Sequence, residues 1–67
     1  RLPDTWREIV GDRVADLTTS LKFENHVLTA HISSSVVRSE LFYRRESLMQ
    51  EINRLSGVKL VNVVLIK

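Results

Sequence analysis

Apolar residues recur along the first third of the chain at helical spacing. Trp6, Val10, Val14 and Leu17 stand four, four and three residues apart, which places them on one face of a 3.6-residue helix. The spacing predicts a helix over residues 5–17. Thr5 followed by Glu8 has the form of a capping box, in which each side chain satisfies an amide of the other's residue. Pro3 and Asp4 lie just upstream, where the chain would enter. Gly11 interrupts the pattern at a cost of about 1 kcal/mol relative to Ala, and a glycine kept there suggests close packing against a neighbouring element.

The period then changes from helical to alternating. Leu21 and Phe23 flank Lys22, and Leu28, Ala30 and Ile32 alternate with Thr29 and His31. This is the pattern of a half-buried hairpin. Glu24-Asn25 supplies the reversal, and because the favoured Asn-Gly pair is absent the turn type stays open.

Ser33, Ser34 and Ser35 are candidate N-caps for a long helix that ends near Ser56, with Gly57 where a left-handed C-cap glycine belongs. Val37, Leu41, Leu48, Ile52 and Leu55 fall within roughly 60° of one another on the helical wheel. Arg44 lands in the middle of that stripe. Unbroken, a helix of about 23 residues would run ~34 Å, more than a small domain covers. A bend or short interruption is therefore expected near Tyr43 to Arg45.

The last segment, residues 58–66, reads as a strand that is apolar on both faces. Val58, Leu60, Val64 and Ile66 share one face, and Val61, Val63 and Leu65 the other. Such a strand is buried on both sides or used as an interface. If helices cover only one face of the sheet, the other stays exposed, which points to a partner or a further segment. The order is α-β-β-α-β: an α+β fold with a three-stranded mixed sheet packed against helices. The crossover through the long helix should be right-handed, making the strands it joins parallel if they are neighbours.

Composition narrows this further. The chain has 67 residues, enough for one domain spanning residues 1–67. A domain that small buries only about 60% of its unfolded surface. With no cysteine and only His26 and His31, its core must come from apolar packing, for which 43% hydrophobic residues is a fair supply. No run approaches the ~20 apolar residues of a membrane span, and no signal-peptide pattern is visible. The chain opens on Arg1 rather than Met, as a segment of a longer protein would. Net charge is +2, too small an excess to argue for nucleic acid by itself.

Candidate chemistry is sparse. His26 and His31 would sit on opposite faces of a strand, so no joint metal site is expected. No serine lies in a Gly-x-Ser-x-Gly elbow, and two glycines cannot build a phosphate-cradling loop. Neither an enzyme, nor a cofactor, nor a small-molecule substrate is expected. The remaining candidates are basic. Arg38 and Arg45 lie seven apart on one flank of the long helix with Arg44 beside them, and three guanidinium groups so spaced could follow a phosphate backbone. Phe42 and Tyr43 could stack on unpaired bases. A plainer reading makes Arg38 and Arg45 surface arginines paired with Glu40 or Glu46, and Phe42 a core residue.

The Trp6-Arg-Glu-Ile-Val-Gly11 opening, the hairpin, the serine run, the Leu41 helix ending in Ile52-Asn53, and Gly57 before a Val/Ile strand together resemble the DciA family of bacterial proteins, long catalogued as a domain of unknown function. The resemblance covers nearly the whole chain. It implies a fold similar to type II KH domains and a cytoplasmic role with the replicative DnaB-type helicase, whose loading or operation on single-stranded DNA such proteins assist without being ATPases. Arg38, Arg44 and Arg45 would then be the DNA contacts. Three departures bear on that: the Gly-x-x-Gly loop of KH domains is missing, the 67 residues lack the extra basic or disordered segments common in the family, and a valine, Val37, stands where a tryptophan is frequent. DNA affinity of the isolated chain is accordingly expected to be weak. Two other readings remain open, an RNA-binding KH-like module and a purely protein–protein interaction domain.

Overall fold

The computed structural model describes residues 2–67. Seven elements follow in the order α1 (Leu2–Val10), α2 (Asp12–Leu17), β1 (Thr18–Glu24), β2 (Val27–Ile32), α3 (Ser35–Tyr43), α4 (Arg45–Ser56) and β3 (Val63–Ile66). The three strands form one mixed sheet in the order β1-β2-β3, with β1 antiparallel and β3 parallel to β2. The α+β class, the hairpin and the parallel third strand follow the sequence reading. Both long predicted helices, however, are pairs.

The first pair breaks at Gly11, which has φ 89 and ψ 164, a region open essentially to glycine alone. No atom lies within 4 Å of where a Cβ on Gly11 would sit, so close packing is not the reason for glycine here. The backbone turn is. Arg7 bridges the break, its Nη1 3.0 Å from Asp12 Oδ1 and its Nη2 3.0 Å from Asp16 Oδ1. The expected capping box does not form as read, because α1 already begins at Leu2 and Thr5 lies inside it. Pro3 fits that first turn, where a helix has no use for its missing amide.

The second pair breaks at Arg44, within the stretch where an interruption was expected. Ser34 is the serine that caps α3, its hydroxyl accepting from the Val37 amide at 3.3 Å. Gly57, at φ 77 and ψ 0, closes α4 in the left-handed conformation. The predicted stripe is buried at Val37, Leu41, Leu48 and Ile52, but Leu55 is exposed. Together with Trp6, Leu28, Ala30, Ile32, Val61 and Val64 these four form the core. Trp6 also anchors α1 to the sheet: its indole N–H donates to the Thr18 hydroxyl (3.0 Å), which donates to the Val14 carbonyl (2.9 Å).

The hairpin turn places both Asn25 (φ 53) and His26 (φ 65) at positive φ, the type I′ arrangement that matches strand twist. The final strand is shorter than the sequence suggests. Residues 58–62 form a loop, because the Asn53 side chain captures the backbone groups a strand would use. Its Oδ1 accepts from the amides of Leu60 (2.9 Å) and Val61 (2.8 Å), and its Nδ2 donates to the Val61 carbonyl (2.9 Å). That clamp sends Val61 into the core, fully buried.

Registry fixes the two faces of the sheet. Leu28 pairs with Phe23 and Val64, and Ala30 with Leu21 and Ile66, all on the core side. The other side carries Lys22 beside Thr29 and Leu65, and Glu24 beside Val27 and Val63. Val63 and Leu65 are exposed, so the second apolar face of β3 is open, as its alternation suggested. No described helix is long and apolar enough to cross a membrane.

Candidate nucleic-acid interface

The break at Arg44 lets α3 end and α4 begin without either helix carrying its side chains into the core at that point. Arg44 has φ −101 and ψ 10, a conformation common in turns. Its amide donates to the Leu41 carbonyl (3.0 Å), and its carbonyl accepts from the Leu48 amide (2.8 Å), so one residue closes the first helix and opens the second. Every residue from Phe42 to Ser47 is exposed in consequence.

Two aromatic rings stand at this corner. Tyr43 is 85% exposed and Phe42 47%, too open for either to be a core residue. Their rings meet edge to face, with centroids 6.0 Å apart. The Arg45 guanidinium lies 4.0 Å from the Phe42 ring centroid and donates to the Phe42 carbonyl at 2.7 Å. This cation–π contact holds a positive charge over an aromatic surface that is itself in water.

Arg38 lies one helical turn before Phe42. It shares with Ser35, Ser39, Phe42, Tyr43 and Ile66 a hollow of about 290 Å³ between α3 and the end of β3. Its Nε is buried and has no hydrogen-bond partner among the described residues. Arg44 faces elsewhere, into a groove between α1 and α4 lined by Glu8, Ile9, Ser47, Leu48, Glu51, Arg54 and Leu55. Within that groove Arg54 bridges Glu51 at 2.8 Å, and this hydrogen bond holds the Glu51 carboxyl below its usual range.

The corner therefore unites Arg38 and Arg45 around Phe42 and places Arg44 on an adjoining side. Among the described residues none of the three forms an ion pair with Glu40 or Glu46. What sequence reasoning missed is the hollow itself, to which Ser35 and Ser39 contribute. Ser35, Ser39 and Phe42 follow one another at steps of four and three residues, which puts all three on one helix face, but Ser35 reads in sequence only as a possible cap.

Fold and site define a helix-on-sheet α+β protein whose distinguishing surface is an exposed aromatic and arginine corner at a helix junction. The family can be stated as well. The model of the DciA family, described as the DnaC/DnaI antecedent, matches residues 1–66, so the chain belongs to that family. Membership ties it to the loading of the replicative helicase DnaB. No curated protein and no solved structure matches the chain.

Proposed function

We propose that this chain is a non-catalytic binding module, KH-like in fold, that assists loading or operation of the DnaB-type helicase on single-stranded DNA in the cytoplasm. The observation that carries the reading is the exposed Tyr43–Phe42–Arg45 cluster at the α3–α4 junction. Single strands are held without sequence preference by aromatic stacking, worth about 1–3 kcal/mol per base, combined with cationic groups along the backbone. Arg38, Arg44 and Arg45 supply those groups. With no Gly-x-x-Gly loop to bring backbone amides to the strand, side chains alone do the holding. Few phosphates are neutralised, so binding is weak and strongly dependent on salt.

The helicase contact falls on the outer face of the sheet, where Val63 and Leu65 are exposed beside Val27. That layer is turned away from the helices, so strand and helicase can be engaged together.

Amide NMR of the chain with a short oligothymidylate, at low and then moderate salt, tests the DNA half. Shifts that cluster from Arg38 to Arg45 and fade with salt are expected. Silence at low salt would remove DNA from the reading and leave the helicase as partner, while tighter binding to oligouridylate would point to an RNA module that uses 2′-hydroxyls. For the helicase half, Leu65→Asp should abolish co-migration with the helicase while leaving oligonucleotide shifts intact.

A further inference from the structure

We infer that the hollow between α3 and β3 is a phosphate subsite, built on Arg38, that seats one phosphodiester of a single strand while neighbouring bases meet Phe42 and Tyr43. This rests on the DNA reading above and assigns the strand its point of attachment.

The unpartnered Nε of Arg38 is the starting observation. A guanidinium stays charged in any protein environment, and a buried N–H without an acceptor is costly to keep. Arg38 is half-buried, its Nε–H donates to no acceptor among the described residues, and it lies at a hollow that opens to solvent. Turned toward that opening by a side-chain rotation, the Nε–H would donate to an acceptor arriving from outside.

The lining says what that acceptor is. Ser35 and Ser39 bring two hydroxyls and Ile66 an apolar wall, and none of the six lining residues is a carboxylate. Glu40 stands two residues beyond Arg38 on the same helix, about 200° around it, and so turns away. Positive charge with hydroxyl donors against an apolar wall selects an anion, and the wall strengthens the attraction by lowering the local dielectric. At about 290 Å³ the hollow stands at the lower bound of small-ligand pockets, the scale of one group rather than a peptide segment.

The aromatic rim separates a nucleic-acid phosphate from an acidic peptide side chain. Phe42 and Tyr43 line the same hollow, so an anion seated there has flat apolar surfaces beside it. A phosphodiester arrives with bases on either side, and a carboxylate does not. Arginine suits the seat because Nε and one terminal nitrogen can donate in parallel to two oxygens of one phosphate, which lysine cannot do.

The test follows the Arg38 Nε–Hε resonance of the chain during titration with oligothymidylate, alongside Arg38→Lys. The Nε–Hε signal should move with the Tyr43 amide, and Arg38→Lys, which keeps the charge, should weaken binding roughly tenfold, the worth of a good charged hydrogen bond. An oligonucleotide with neutral methylphosphonate linkages should keep the Tyr43 shift and lose the Arg38 one. If oligothymidylate binds and moves Tyr43 and Arg45 while Arg38 is silent and Arg38→Lys binds like the parent, the subsite is wrong and the DNA reading stands. If no oligonucleotide binds at low salt, both are wrong. A chemical-shift map of Arg38→Lys matching the parent outside α3 excludes misfolding as the cause.

Discussion

The two helix breaks reach similar ends by different physics. At Gly11 the chain turns through φ 89, ψ 164, where a Cβ is not tolerated, so the backbone dictates the residue. At Arg44 the chain turns through φ −101, ψ 10, which any residue adopts, so the backbone leaves the side chain free. Each break is braced by an arginine: Arg7 forks to Asp12 and Asp16 across the first, and Arg45 folds back on Phe42 at the second. The difference is that the first brace is consumed within the fold. The second keeps its guanidinium and its ring on the surface, where a strand can reach both. A junction whose geometry makes no demand on its side chains is where a protein can place binding groups at little structural cost.

A third connection, from α4 to β3, sharpens the contrast because there a side chain dictates the backbone. Asn53→Ala strands two amides and one carbonyl around the buried Val61. Unsatisfied groups of this kind cost about 1–3 kcal/mol each when buried; with water reaching some of them, a loss of about 2–4 kcal/mol is expected by urea denaturation. For a chain this small, that is a large share of total stability. Stability within about 0.5 kcal/mol of the parent would mean the loop is shaped by Gly57 and the core instead.

Gly11→Ala comes next in size. Forcing a Cβ into this conformation should cost about 1–3 kcal/mol, and because no atom lies within 4 Å of the new carbon, strain rather than collision is the cause. Gly11→D-Ala, introduced by synthesis, separates the two: a D-residue favours positive φ, so its variant should recover most of the loss. If both variants are equally weakened, the open space around Gly11 is not as described.

These same residues mark the limit of what sequence alone made legible. Periodicity located the hairpin and most of the core stripe, and the interruption near Arg44 was expected from length, because an unbroken helix of about 23 residues outruns so small a domain. Gly11 was visible too, but composition cannot tell a glycine needed for φ from one needed for space. The capping-box pattern misplaced the start of α1, since Pro3 is tolerated inside a first turn as well as before a helix. The short β3 was hidden for a different reason: apolar alternation describes which side chains could be buried, while Asn53, seven and eight residues upstream of Leu60 and Val61, decides where their amides point. At the candidate site the arginines were legible by spacing, but their grouping was not. A break in the helix rotates everything after it, and the angle of that rotation is not written in the hydrophobic pattern.

The smallest expected effect is the most discriminating for the Arg44 junction. Arg44→Ala should leave stability within about 0.5 kcal/mol of the parent, as a surface change at an unstrained backbone does. It should also affect DNA binding less than Arg45→Ala. Arg44 opens on the α1–α4 groove, where Glu8 and Glu51 already supply negative charge, whereas Arg45 lies on the exposed Phe42 ring. Salt dependence measures the difference directly. For single strands, each phosphate neutralised contributes about 0.7 to the slope of log affinity against log salt. Arg45→Ala should therefore flatten the slope by about 0.7, and Arg44→Ala by clearly less. Equal flattening by the two would mean the strand crosses the junction and enters the α1–α4 groove. The interface would then wrap the helix corner, and Arg54 would become the next residue to test.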